Sequence, residues 1–280
     1  METIIALDIG GTNIRIAVVD KDLNVLYFKK EKTICEDKEL FLDNVKKMVK
    51  KVSIKQYNVK AISIGAAGRV RKESAIDELP NLGIKNIDLV TLLNGEFDLP
   101  VFVRNDAEMA VIAHANSPIG KSYKRVYFVT ISTGLGGALF VDGKVANYSK
   151  EIGHTPFLYK GKLYDLESIV AGRGIVKLAK MNGLTISSAQ ELFNFVRNKD
   201  SLAMNVFEDW IGLIEDFFRF VDKIFRPDVY FVGGGFMNEK ELFFDKLKED
   251  LPKLNLLADD LKDEVTLIGA SIYGFDRIRD

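Results

Sequence analysis

The chain has 280 residues, enough for about two domains at roughly 100–200 residues each. Apolar residues make up 47% and charged residues 28%, the make-up of a chain that buries a core, which excludes disorder, collagen and a disulfide scaffold. Basic side chains number 39 against 40 acidic ones, leaving no excess charge for a nucleic-acid backbone or an anionic membrane, and the single cysteine, Cys35, rules out an internal disulfide or a thiolate-rich metal cluster.

Carboxylates at Glu2 and Asp8 stand where a secretory leader would be basic and then apolar, so no leader is expected. The longest uncharged run, Val126 to Val141, is too short to span a bilayer and is broken by glycines. With one cysteine, a reducing compartment fits, and a cytoplasmic protein with no membrane or nucleic-acid partner is expected.

The first thirty residues read as three strands: an apolar run over Ile4–Ile9, a partly alternating Asn13–Asp20, and Asn24–Lys29 after a turn-like stretch. Leu40, Phe41, Val45, Met48, Val49 and Val52 recur at helical spacing. Strands follow at Ala61–Ile64 and Pro100–Val103. The second half opens the same way, with Arg125–Ile131, a glycine-rich turn, Ala138–Val141, and an Asp142-Gly143 hairpin signal into Lys144–Ala146. Asp8-Ile-Gly-Gly-Thr12 and Ser132-Thr-Gly-Leu-Gly-Gly137 therefore occupy equivalent first turns of two βββ units, which reads as an internal duplication. The expected domains are 1–112 and 113–268, with a last helix over about 269–280 packing back on the first domain. Val206–Phe225 reads as a long helix, apolar on more than half its circumference and thus core, ending at Pro227. A strand at Val229–Val232 then runs into Gly233–Gly235. No Ser/Gly linker separates the halves, so a cleft between two packed domains is expected.

Five groups of residues carry chemistry. After a buried strand, Gly10 and Gly11 bring backbone N–H groups against an anion, Thr12 adds a hydroxyl, and Asp8 can hold a hydrated cation; a plain hairpin turn is the alternative. Thr133, Gly134, Gly136 and Gly137 repeat that logic, and Gly233, Gly234 and Gly235 offer backbone for a purine and its ribose. Three glycine loops after strands point to a nucleoside triphosphate, although neither a Walker motif nor a dinucleotide fingerprint is present. Asn105-Asp106 follows a strand directly, where Asp106 is either a general base or the N-cap of a helix starting at Ala107. Glu151, His154 and Glu167 form a further polar set, and the spacing of His154, Asp165 and Glu167 matches no standard metal pattern. His114 reads as structural.

At these residues the chain resembles the ROK family (repressors, open reading frames, kinases) of the actin-like ATPase superfamily. The resemblance runs over essentially the whole length: D-I-G-G-T at Asp8–Thr12, N-D-A at Asn105–Ala107, S-T-G-L-G-G at Ser132–Gly137, E-I-G-H at Glu151–His154 and V-G-G-G at Val232–Gly235. It implies an α/β protein of two RNase H-like domains, with ATP and a hexose meeting in the cleft. By the same resemblance Asp106 would deprotonate the sugar's 6-hydroxyl, and Asn105, Glu151, His154 and Glu167 would bind other hydroxyls. The two turns, Asn13 included, would cradle ATP phosphates, with Mg²⁺ near Asp8 as a weak site, and Gly233–Gly235 would border the adenosine. A homodimer is the expected assembly.

Two departures stand out. Many members place Lys after D-I-G-G-T, where this chain has Asn13. The family's C-x-C-G-x-x-G-C-x-E zinc motif falls here on Leu158, Lys160 and Asp165, with only Glu167 kept, so no zinc is expected. Leu158, Tyr159, Leu163 and Tyr164 would then dock the segment on the domain, and Asp165 would pair with either His154 or Lys160. Within the family, Ile131–Gly137, Ile152–Thr155 and Glu167–Ile175 resemble patterns of N-acetylmannosamine kinases. Gly68-Arg69 would set a guanidinium near the acetamido carbonyl or a neighbouring hydroxyl, unless Arg69 is simply a surface side chain. The expected reaction is phosphorylation of N-acetylmannosamine to its 6-phosphate, a step of sialic acid catabolism; the alternative is a glucokinase or another hexokinase, acting on glucose, fructose or N-acetylglucosamine. A repressor of the family would need a helix-turn-helix of roughly eighty residues before the first strand. A sugar sensor without turnover would be expected to lack Asp106.

Overall fold

The computed structural model describes the chain except residues 35, 72–74, 81, 147–150, 262–263 and 280, so Cys35 lies outside the described residues. The chain divides into two units, Met1–Ser117 with Asp263–Asp280, and Pro118–Lys262. The division falls beyond the expected step at 112/113 because a helix, Asp106–Ala115, crosses that step and packs against the last helix, Val265–Arg277.

The first unit holds β1 (Thr3–Ile9), β2 (Asn13–Asp20), β3 (Val25–Lys32), β4 (Val59–Ala66), β5 (Arg69–Arg71), β6 (Ala75–Leu79), β7 (Ile84–Ile87) and β8 (Val101–Asn105). Five of them form a sheet in the order β3-β2-β1-β4-β8, antiparallel at β3-β2-β1 and parallel at β1-β4-β8. Every residue of β1 is buried, which explains its unbroken apolar run: helices cover both faces of the sheet. Ile5, Leu7 and Ile9 share a core with Phe41, Val45, Met48 and Val49 of the helix Lys38–Lys50, whereas Ile4 packs with Ala61 and with Phe275 of the last helix. The split follows the two-residue period of a strand. β5, β6 and β7 make a small separate sheet.

The second unit holds β9 (Arg125–Ile131), β10 (Leu135–Val141), β11 (Lys144–Val145), β12 (Pro156–Tyr159), β13 (Lys162–Asp165), β14 (Val229–Gly233) and β15 (Leu256–Ala258). Its sheet runs β11-β10-β9-β14-β15, again antiparallel over the first three and parallel over the rest, so the two units repeat one topology. β10 begins at Leu135 rather than at Ala138 as expected. Gly136 and Gly137 are thus strand residues, opposite Thr130 and Val129, and the turn itself is only Ser132–Gly134. The long helix is Ser201–Phe225; it starts earlier than expected because Asp200 caps it through Ala203 N–H. Trp210, Phe217, Phe218 and Phe225 are buried in the core of this unit. Among the described residues no helix is long and apolar enough to cross a membrane.

Candidate active site

In the first unit the β1–β2 hairpin is closed by Gly10 N–H donating to the Asn13 carbonyl at 3.0 Å. Thr33, just after β3, holds the turn from the side: its hydroxyl donates to the Gly10 carbonyl at 2.8 Å and its N–H to the Thr12 carbonyl at 3.0 Å. Neither Gly10 nor Gly11 is among the glycines of left-handed backbone, so no torsion demands glycine there. A Cβ on Gly10 would approach only the Asn13 carbonyl oxygen, at 3.3 Å.

Asp8 lies opposite Arg15 in the β1–β2 register, and the Arg15 guanidinium donates to its Oδ2 at 2.7 Å with both side chains largely buried. No motif in the sequence marks Arg15. Strand alternation could have found it, since residue 15 shares a face with Asn13 and sits across from Asp8. One carboxylate already engaged by a guanidinium is no cage for a metal. It does suit Mg²⁺ that arrives on a triphosphate, because that ion keeps several waters and needs only one or two protein carboxylates.

The junction of β8 with Asp106–Ala115 carries the next pair. Asn105 caps the helix, accepting Ala107 N–H at 2.9 Å, while its amide donates to the Gly68 carbonyl at 3.0 Å. The cap is therefore Asn105, and Asp106 is the first helical residue, half-buried, its Oδ1 also 2.9 Å from Ala107 N. Arg104 and Glu108, both buried, meet at 3.3 Å across the junction, and the guanidinium lies 4.7 Å from the Tyr273 ring centre. Gly68 has no room for a side chain, since a Cβ would come within 2.2 Å of the Glu78 carbonyl oxygen. Arg69 follows it, exposed, at the start of β5.

In the second unit the Ser132–Gly137 and Gly233–Gly235 loops and Glu167 come together. Glu167 Oε2 accepts Leu135 N–H at 2.8 Å, and a Cβ on Gly134 would lie 2.7 Å from that same oxygen. Gly137 is bare because the Tyr127 ring stands 2.7 Å from where its Cβ would be. Gly172, at φ +49°, donates to the Ser132 carbonyl at 2.8 Å, and its Cβ would strike the Thr133 carbonyl oxygen at 2.2 Å. Gly234, at φ +93°, packs on Ile131, and the Cβ position of Gly235 is 3.2 Å from the Ser132 hydroxyl.

His154 ends a short 3-10 turn, Ile152–His154, entered through Glu151 in left-handed backbone at φ +58°. Its Nδ1 is 2.6 Å from Asp165 Oδ2 and its Nε2 is 3.5 Å from Glu151 Oε2. The Asp165 hydrogen bond, aided by the charges of Glu167 and Glu151, holds the imidazole pKa above its usual value against partial burial. Of the two partners open to Asp165, the structure selects His154; Lys160 instead donates to the Asn182 side chain. Asp165 is fixed by the β12–β13 pairing and by Ser168, whose hydroxyl donates to its carbonyl at 2.6 Å. Tyr159 anchors the hairpin, donating to Asp209 at 2.5 Å; burial and that bond push its pKa up to about 12. Tyr159 is buried and Tyr164 half-buried, but Leu158 and Leu163, expected to dock, are 68% and 65% exposed. They form a cross-strand pair on the outer face of the hairpin. Leu158 and Lys160 supply no soft ligand, and among the described residues no group of three or more His, Cys, Asp or Glu could hold a metal.

Two units of one RNase H-like topology, carrying these turns at corresponding places, define an ATP-dependent sugar kinase of actin-like fold. The ROK family model matches residues 4–273, and the chain belongs to the ROK family. A Streptomyces coelicolor glucokinase is 26% identical over 95% of this chain and 96% of its own. A Haemophilus influenzae N-acetyl-D-glucosamine kinase is 26% identical over 88% of this chain and 87% of its own. A Listeria monocytogenes structure, of a protein proposed to be an N-acetylmannosamine kinase, superposes with a TM-score of 0.84 at 23% identity, covering 99% of this chain and 100% of that one.

Proposed function

We propose that this protein transfers the γ-phosphoryl group of ATP to the 6-hydroxyl of N-acetylmannosamine, with Asp106 as the general base. The observation that carries the reading is the β8–helix junction. Asn105 spends its side chain on the cap and on Gly68, which sets Asp106 at the first helical position beside it, a carboxylate at the carboxyl end of a strand. In the reaction the sugar oxygen bonds to the γ-phosphorus and the bond from that phosphorus to the bridging oxygen of ADP breaks. The hydroxyl proton passes to Asp106. The protein's share is positioning and charge neutralisation.

Thr12, Asn13 and the bare backbone of Gly10 and Gly11 would receive the phosphates, along with Thr133 and Gly134; Gly233–Gly235 would lie along the adenosine. Mg²⁺, held by the triphosphate near Asp8, supplies neutralisation of phosphate charge when bound. Asn105, Glu151, His154 and Glu167 would take sugar hydroxyls. The Asp165 bond at Nδ1 of His154 leaves Nε2 as the nitrogen for a substrate, and the reading needs no zinc. Gly68-Arg69 would meet the acetamido group. The motif patterns around Ile131, Ile152 and Glu167 support this sugar, and a relative that phosphorylates an acetamido hexose is consistent with it. A glucokinase is the second reading, favoured by the Streptomyces relative. The reading includes a cytoplasmic homodimer.

ADP release coupled to a dehydrogenase, measured with N-acetylmannosamine, N-acetylglucosamine, glucose, mannose and fructose, decides between them. The expected result is a clear preference for N-acetylmannosamine that shrinks in Arg69→Ala, because a donor built for a carbonyl is left unpaired by a sugar lacking one. Equal kcat/KM for glucose would replace the proposal with the hexokinase reading.

A further inference from the structure

We infer that the Glu167 carboxylate couples the two substrates, one oxygen holding the nucleotide turn while the other takes a sugar hydroxyl, so that each ligand tightens the binding of the other. The inference rests on the reading above, in which the Ser132–Gly134 turn receives phosphate and Glu167 faces the sugar.

Three observations carry it. The carboxylate is seated on the turn asymmetrically: Oε2 is 2.7 Å and Oε1 3.8 Å from the Cβ position of Gly134, and Oε2 alone accepts Leu135 N–H, at 2.8 Å. Oε1 is therefore the oxygen turned away from the loop. Gly172, just past the Ala171 cap of the short helix that begins with Glu167, donates its N–H to the Ser132 carbonyl at 2.8 Å, and its missing side chain admits Thr133. The helix's first residue and the glycine beyond its end thus grip the two ends of the turn. Finally, the helix cannot yield easily. Ile169 and Val170 are wholly buried, and the Trp210 indole, itself buried, donates to the Val170 carbonyl at 2.9 Å.

A shift of the carboxylate is thus passed to the turn rather than absorbed behind it. Charge acts in the same direction. An ionised carboxylate beside phosphate-binding N–H groups repels the incoming anion. A sugar hydroxyl donating to Oε1 draws that charge outward and eases the repulsion, and by linkage bound nucleotide favours the sugar by the same factor.

Calorimetry with the full chain tests this. Mg·AMPPNP is titrated with and without saturating N-acetylmannosamine, then with glucose and N-acetylglucosamine as alternative probes. In the unaltered protein the sugar should tighten nucleotide binding by about fivefold or more, within the usual span of such couplings. In Glu167→Ala the factor should fall to about one. Glu167→Gln keeps the volume and an acceptor for Leu135 N–H, but its amide nitrogen cannot accept the sugar hydroxyl, so its factor should fall as well. A merely structural role would weaken both affinities and leave their ratio alone. A factor near one in the unaltered protein, or an unchanged factor in either variant, overturns the coupling. Absence of turnover with any hexose would instead overturn the kinase reading beneath it.

Discussion

The two first turns of the duplicated units look alike in sequence and differ in what their glycines serve. In the first unit the turn at Gly10–Asn13 is open: ordinary backbone at both glycines and almost nothing over Gly10. In the second, glycines of the turn and of the loop beside it are pressed by protein, Gly134 by Glu167, Gly137 by Tyr127 and Gly234 by Ile131. Bareness in the first unit leaves the Gly10 position uncrowded, whereas in the second it lets side chains and backbone close up behind the turn. The same division runs through the polar residues. The first unit carries the carboxylate beside a helix start, and the second carries a web of residues that hold one another in place.

If the first unit does the chemistry, its loss should outweigh any other single change. Asp106→Asn keeps an acceptor for Ala107 N–H, so the junction should fold as before. The amide cannot take the proton, and kcat should drop by ~10²–10⁴ while sugar affinity largely persists. Turnover at saturating ATP and sugar, beside a sugar titration, checks both halves. An undiminished kcat would move the base elsewhere and dissolve the division of labour.

The paired glycines provide the next contrast. Gly134→Ala forces a methyl to within 2.7 Å of the Glu167 carboxylate and breaks the bond to Leu135, so urea unfolding should show a loss of about 1–3 kcal/mol, the usual scale of overpacking. Gly10→Ala has ordinary backbone and a single contact at 3.3 Å, so its stability should stay within about 0.5 kcal/mol of the original. The KM for ATP should nevertheless rise in Gly10→Ala, because the methyl occupies the approach to the turn. Equal destabilisation of the two variants would erase the distinction between an open and a filled turn.

Much of this was legible in the sequence, because its signals are local. The apolar run of β1, the helical spacing after Leu40 and the stop at Pro227 each follow from period and turn chemistry over a few residues, and the duplicated strand order followed from them. Contacts distant in sequence were harder to read. Gly136 and Gly137 read as turn because glycine signals flexibility, and only their pairing with Thr130 and Val129 makes them strand. Asn105 rather than Asp106 caps its helix because Gly68, 37 residues away, supplies the second partner for its amide. Arg15 went unnoticed since its importance lies in a partner across a hairpin, and Leu158 and Leu163 read as docking residues because period alone does not say which face of a hairpin meets the domain.

The smallest expected effect concerns His154, where the second unit's web can be tested by pH. The Asp165 bond, with Glu151 and Glu167 near, favours the imidazolium, so the folded-state pKa lies above the ordinary value of about 6.5. A raised pKa binds protons more tightly in the folded state. The stability it contributes is therefore complete below about pH 6.5 and is lost as pH rises through the folded value. The ring is half exposed, so solvent screens the pair and the contribution is small. Melting temperatures of the protein and of His154→Gln, measured from pH 5.5 to 8.5, should differ most at the acid end and converge toward the alkaline end. Asp165→Asn should flatten the difference, since the amide no longer stabilises the cation. A gap that stays constant or widens with pH would mean that Asp165 orients a neutral ring through geometry alone, and the second unit would then hold His154 without help from charge.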